Sequence, residues 1–268
     1  MMGVIELLAT NAAISAVAFI ALWLIGIAIK DVTFVDAWWA FGMVLLAYAS
    51  FFQHPAYPDA HRIALLALCT AWGVRLGTHL LLRWGRDGPD RRYVRMMAKA
   101  QSERGWGYAL STLLLVFALQ YPLQFVVALP VQLGQAAPTA APLGPVALVG
   151  LAIGVIGIGF EAIGDWQLTA FKRDPANTAM VMDRGLWRYT RHPNYFGDAC
   201  VWIGLFLIAA ETKFGVWSLP APILITFLLT RWSGVPTLEG RMRRRRPGYE
   251  DYVQRTSGFV PWFPKRPA

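Results

Sequence analysis

Long apolar runs alternate along the chain with short blocks dense in arginine. A helix that crosses a bilayer needs about 20 mostly apolar residues, and seven stretches of this sequence are read as spans. They run roughly over 4–29, 34–52, 62–82, 108–133, 144–168, 195–211 and 214–231. The last two are short and are separated only by Glu211-Thr-Lys213, which predicts a tight helical hairpin. The fifth contains Gly150, Gly154, Gly157 and Gly159, small residues that let neighbouring helices approach closely. No strand precedes these glycines and the GxGxxG spacing is absent, so they are not a dinucleotide fingerprint. The expected fold is all-α: one polytopic membrane domain over 1–268, with seven transmembrane helices and a tail at 232–268 that caps a site.

Composition agrees with this pattern. The chain is 56% hydrophobic and 15% charged, which excludes an ordinary soluble domain. Its net charge of +9 sits in blocks between apolar runs, a pattern that serves membrane orientation and not nucleic-acid recognition. Lys30, the basic residues of 83–107 and 169–194, and those from Arg231 onward fall on one side, whereas Arg62 and Lys213 fall on the other. The bias predicts a cytoplasmic C-terminus and an outside N-terminus in a bacterial inner membrane. The first apolar run has no Lys or Arg before it, so it reads as a first span and not as a signal peptide. Cys69 and Cys200 offer neither a disulfide framework nor metal-ligand spacing, and no metal site is expected.

Ionisable groups inside spans are functional candidates by default, because an acid at a helix centre costs on the order of 3 kcal/mol. Asp36 opens the second span, followed by Trp38 and Trp39. Arg75, His79 and Arg83 lie four apart in the third, and Glu161 and Asp165 four apart in the fifth, with Lys172 beyond them. All fall in the predicted cytoplasmic half. The stretch Gly185-Leu-Trp-Arg-Tyr-Thr-Arg-His-Pro-Asn-Tyr-Phe-Gly-Asp198 joins them there. Pro193 predicts a helix that starts beside Asn194, and helix N-termini suit anions. With Arg188 and Arg191 alongside, the stretch reads as a holder for a phosphate-bearing cofactor, or else for lipid headgroups. The loop 83–107, with Arg91, Arg92, Arg95 and Lys99 at helical spacing around Tyr93, reads as an interfacial helix facing lipid. The tail, with Arg241 and Arg243 to Arg246, could cap a cofactor entering from the cytoplasm.

The stretch Gly185 to Asp198 resembles the signature of the bacterial membrane proteins grouped with steroid 5α-reductases, of the DUF1295 type. Ser233-Gly-Val-Pro236, Glu239 and Tyr249-Glu-Asp-Tyr252 resemble the closing segment of the same group. A shorter form, Arg-His-Pro-x-Tyr, also occurs in isoprenylcysteine carboxyl methyltransferases and phospholipid methyltransferases; Asn194 and Asp198 favour the reductase side. The resemblance implies NADPH-dependent reduction of a conjugated C=C in a lipophilic enone such as a Δ4-3-oxosteroid. It implies cofactor contacts at Arg83, Asp165, Lys172, Asn194 and Asp198; Arg188, Arg191, His192, Tyr195, Glu239 and Arg241 are further cofactor-site candidates from the residues themselves. On the catalytic side Asp36 is the candidate donor to the carbonyl oxygen, with His79 or Tyr189 as alternatives. The animal steroid reductases carry Gln-Glu where this chain reads Asp36-Ala-Trp-Trp, and a tyrosine where it has Leu80, so a steroid is not singled out. The rival enzyme is a membrane methyltransferase that holds S-adenosylmethionine with Arg191, His192 and Glu239. A third possibility is a lipid-binding scaffold without activity.

Overall fold

The computed structural model describes residues 3–53, 59–139, 141–232 and 234–265; Ala140 of the 134–143 connector, Ser233 of the closing segment and Arg266 of the tail lie outside them. Among the described residues the chain is helical, and the only β-pairing is an isolated bridge between Thr190 and Ser257. Among the described residues, six helices are long and apolar enough to cross a membrane. They are α1 (Val4–Ile29), α2 (Val35–Gln53), α3 (Ala60–Asp87), the composite Tyr108–Val127, α8 (Pro145–Arg173) and α9 (Pro193–Ala210). The composite is built from α5 (Tyr108–Thr112), a π-helical turn at Leu113–Phe117 and α6 (Ala118–Val127), and α7 (Leu129–Leu133) extends it.

The seventh expected span is shorter and broken. A 3₁₀ turn, Gly215–Ser218, leads into α10 (Pro220–Phe227), which passes into a π-helical turn at Leu228–Trp232. Pro220 and Pro222 supply no backbone N–H, so they start a helix here and cannot extend one backward. The α10 and π segments together give roughly 20 Å of helix at about 1.5 Å per residue, short of a 30 Å hydrocarbon core. The basic loop holds α4 (Arg91–Arg104), and the tail holds α11 (Val235–Arg245) and α12 (Tyr249–Arg255). Asp90 starts α4 by accepting from Arg92 N at 2.7 Å, and Gly105 ends it in the left-handed conformation at φ 67°.

The seam that fixes the site runs between α8 and α9. A Cβ on Gly157 would lie 2.6 Å from Gly197 O, and one on Gly197 would lie 2.5 Å from Gly157 O. Gly150 and Gly204 repeat the approach one pair further along. These contacts are with backbone, which cannot move aside as a flexible side chain can. Around the seam lies a core of Leu65, Leu68, Trp72, Val201, Trp202, Leu205 and Ile208. Trp72 and Trp202 meet edge to face at 5.2 Å.

Polar groups close the half of the bundle away from the tail. Buried Asn11 donates to Ser50 Oγ at 2.8 Å and to Gln132 Oε1 at 3.1 Å, and accepts from Gln53 Nε2 at 2.7 Å. Glu211 accepts from Gly144 N, Val146 N and Ala147 N at 2.8–3.0 Å, capping α8, and pairs with His61 at 3.0 Å. Interhelical hydrogen bonds of this kind are worth about 1 kcal/mol each in a bilayer.

Two alanine substitutions on neighbouring helices test the seam. Gly197→Ala should force α8 and α9 apart and lower the unfolding midpoint by several degrees, since overpacking typically costs about 1–3 kcal/mol. Gly159→Ala, where a Cβ meets nothing within 4 Å, should leave the midpoint unchanged or raise it. Thermal denaturation of the detergent-solubilised variants, side by side, reads both outcomes.

Candidate functional site

At the end of the bundle that carries the tail, one guanidinium ties three helices together. Arg75 of α3 donates to Asp165 at 2.7 Å and pairs with Glu161 at 2.5 Å, the two acids standing one turn apart on α8. The Arg75–Glu161 contact is an ion pair without well-directed hydrogen-bond geometry. Asn194, in the first turn of α9, donates to the other Asp165 oxygen at 3.2 Å. His79, one turn along α3, brings Nε2 to 3.9 Å from Asp165. Asp198, one turn further along α9, is 9% exposed, and its Oδ1 has no well-formed partner. The indole N–H groups of Trp72 and Trp202 interact with it, but neither is directed well enough for a full hydrogen bond. A buried carboxylate oxygen without a partner is costly, and it fits a ligand that donates to it.

A second knot forms around Asp36. Tyr93 of α4 donates to Asp36 Oδ1 at 2.6 Å, Arg92 donates to Oδ2 at 3.0 Å, and Arg83 lies 3.8 Å away. Behind the phenol, Gln120 Nε2 reaches the Tyr93 oxygen at 3.4 Å, and Trp39 donates to Gln120 Oε1 at 2.6 Å. Burial, and then the negative charge of Asp36, hold the Tyr93 hydroxyl well above its ordinary pKa, so it keeps its proton. The Tyr195 hydroxyl lies in the combined field of Arg92, Arg83, Asp36 and Asp198, which joins this knot to the one around Arg75.

Cations line the rim. Lys172, at the end of α8, is in electrostatic range of Arg83, Arg86 and Arg241, with Asp87 the acid beside them. Four like charges around one carboxylate repel one another, and a polyanion relieves that repulsion.

The arginines of the loop before α9 have another use. Arg191 Nε donates to Glu239 of α11 at 2.8 Å, and its Nη1 donates to the carbonyls of Val253 and Thr256 at 3.1 and 2.7 Å. His192 meets the same Glu239 oxygen at 3.1 Å and stacks on Tyr195 with the rings 5.4 Å apart. Tyr252 donates to Trp187 O, Thr190 Oγ1 to Phe259 O at 2.8 Å, and Trp262 N to Tyr189 O at 2.9 Å. These contacts clasp the tail onto the loop. Burial works against ionisation of Glu239, but the His192 and Arg191 hydrogen bonds outweigh it and lower its pKa to about 2.

The structure thus gathers Asp36, His79, Arg83, Asp165, Lys172, His192, Asn194, Tyr195, Asp198, Glu239 and Arg241 at one end of the bundle. Three expectations change. Arg191 commits its Nε and Nη1 to clasping the tail. Arg188 is exposed, and Tyr189 turns outward to make an edge contact with Phe263 at 6.3 Å. Asp36 accepts from Tyr93 and Arg92, so its geometry is that of an acceptor and not of a donor. The residue that sequence reasoning passed over is Tyr93, assigned with its whole helix to lipid contact. That α4 folds inward onto Asp36 could not be read from the spacing of its basic residues.

The architecture defines a multi-pass, all-helical membrane protein with a cluster of polar and charged groups at one end. The chain belongs to the family described as Protein of unknown function (DUF1295), whose model matches residues 22–256. No curated protein and no solved structure matches the chain.

The clasp predicts a pH dependence. Because the folded pKa of Glu239 is depressed, its stabilisation is fully present above its unfolded value of about 4.5 and is lost as pH falls through about 2. Pepsin access to the tail should therefore rise steeply across that window. In Glu239→Gln the tail should already be loose at pH 4.5, and the rise should be flattened.

Proposed function

We propose that the chain is an integral membrane reductase that uses NADPH to reduce a conjugated C=C in a lipophilic enone, with a steroid or steroid-like ring system as the substrate class. The observation that carries this reading is the meeting at one end of the bundle of a group of cations around Lys172, the acids and amide around Arg75, and a protonated phenol beside Asp36. Arg83, Arg86, Lys172 and Arg241 would hold the phosphates. Asp165, Asn194 and Asp198 would accept from or donate to ribose hydroxyls and the carboxamide, and the incompletely satisfied Asp198 Oδ1 fits such a donor. When bound, the cofactor supplies the hydride that adds to the β-carbon of the enone. The Tyr93 O–H, which donates to Asp36 in this structure, would turn to the carbonyl oxygen as that oxygen gains negative charge. Asp36 orients the phenol, and Arg92 and Arg83 balance the charge of Asp36.

The same reading places the protein in a bacterial cytoplasmic membrane with seven crossings, the N-terminus outside and the chamber open to the cytoplasm. The charge bias supports this orientation. A methyltransferase would draw on Arg191, His192 and Glu239, and those three groups are bonded to one another in the clasp.

Two measurements test the proposal. NADPH should raise the unfolding midpoint of the solubilised protein by several degrees at concentrations well above Kd, S-adenosylmethionine should not, and Arg83→Ala/Lys172→Ala should weaken NADPH binding at least about tenfold. Stabilisation by the methyl donor alone would reverse the assignment to a methyltransferase, and stabilisation by neither would favour a scaffold. With an enone panel that includes 3-oxo-Δ4 steroids, Tyr93→Phe should lower kcat by about 100-fold and leave NADPH affinity within about twofold. Unchanged turnover in that variant would remove Tyr93 from the chemistry.

A further inference from the structure

The tail carries a surface that the clasp does not use. Arg241, Arg243, Arg244 and Arg245 of α11 are all exposed. Arg244 and Arg245 lie well round the helix from Glu239, which faces Arg191 and His192, while Arg241 stands with Lys172 at the rim and is not part of this surface. Arg243 reaches Glu250 at 3.5 Å. The helix begins three residues after Trp232, where the last apolar segment ends, so its arginines stand close to the membrane surface.

Exposed aromatic side chains mark that surface independently. Trp232 is 60% exposed, Trp262 72% and Phe263 78%. Phe259, just before the last two, packs edge to face on Phe196 in the first turn of α9 at 6.0 Å, which sets the end of the tail at the level of the helix ends. Large aromatics at that level lie in the interfacial zone of a bilayer. A cationic helix side beside interfacial aromatics is complementary to anionic phospholipid headgroups, each basic residue contributing about 1 kcal/mol near a charged leaflet.

We propose that α11 docks on anionic phospholipids of the bilayer in which the protein sits, and that this docking holds the Arg191–Glu239–His192 clasp shut. The link is mechanical: one helix carries both the lipid-facing arginines and the carboxylate that fastens the tail. The consequence that membrane charge governs closure of the cofactor site rests on the function proposed above. The docking itself does not, and it is measured without any cofactor.

The experiment places the full-length chain in nanodiscs of phosphatidylcholine alone and in nanodiscs with about 30% phosphatidylglycerol. Amide hydrogen exchange is followed in 235–255 and in 186–192. Anionic lipid should slow exchange in both segments at least about tenfold, and about 0.5 M salt should abolish the difference. Arg244→Gln/Arg245→Gln should lose the response, and Arg244→Lys/Arg245→Lys should keep it. Equal exchange in the two nanodiscs would overturn the proposal. So would equal slowing by inorganic phosphate or a short RNA added to phosphatidylcholine discs, because the surface would then recognise a soluble polyanion. Slowing confined to 235–255 would break the link to the clasp.

Discussion

A guanidinium inside a membrane-spanning helix must find counter-charge within the protein, and the geometry of the inner half of this bundle follows from how Arg75 does so. Its two partners, Glu161 and Asp165, sit on one face of α8, so the α3–α8 contact has one register. Asp165, held from one side by Arg75, presents its second oxygen to Asn194, which fixes the first turn of α9 as well. The glycine seam then permits what the ion pair requires. Only with backbones in contact at Gly157 and Gly197 can Glu161 and Asp198 stand as neighbours across the two helices.

The cluster separates its charges by burial. Cations gather at the mouth, where Arg83 and Arg241 remain partly open to solvent, and carboxylates lie deeper, where each depends on specific donors. That separation suits a ligand with a polyanionic end and a neutral, hydrogen-bonding end. It suits a small zwitterion less well, because such a ligand would leave most of the rim repulsion in place. Tyr93 and Asp36 then stand on the side towards α2, backed by Gln120 and Trp39 from within the membrane.

Much of this was legible in the sequence. Apolar length alone gave the first six spans, and the four-residue spacing of Arg75 to His79 and of Glu161 to Asp165 placed the right residues on the right faces. Periodicity could not show which cations stay free. Arg191 and Lys172 look equivalent as letters, yet one is bonded to carbonyls from a segment more than 60 residues away, while the other stands among like charges. Nor could a basic amphipathic pattern reveal which face of α4 turns inward, since a lipid-facing helix and one folded over Asp36 share the same spacing. The seventh span was read from hydropathy; its prolines divide the segment into shorter helical pieces.

The tail is gripped mainly through its main chain. Arg191 holds the carbonyls of Val253 and Thr256, Thr190 holds that of Phe259, and Trp262 reaches Tyr189 with its own amide. A lock cut to peptide groups is indifferent to most of the letters it closes on. Substitutions at 253, 256 and 262 can therefore leave the grip intact, whereas a one-residue insertion between Thr256 and Phe259 would put the Phe259 carbonyl and the Trp262 amide out of step while the Val253 and Thr256 carbonyls stay held.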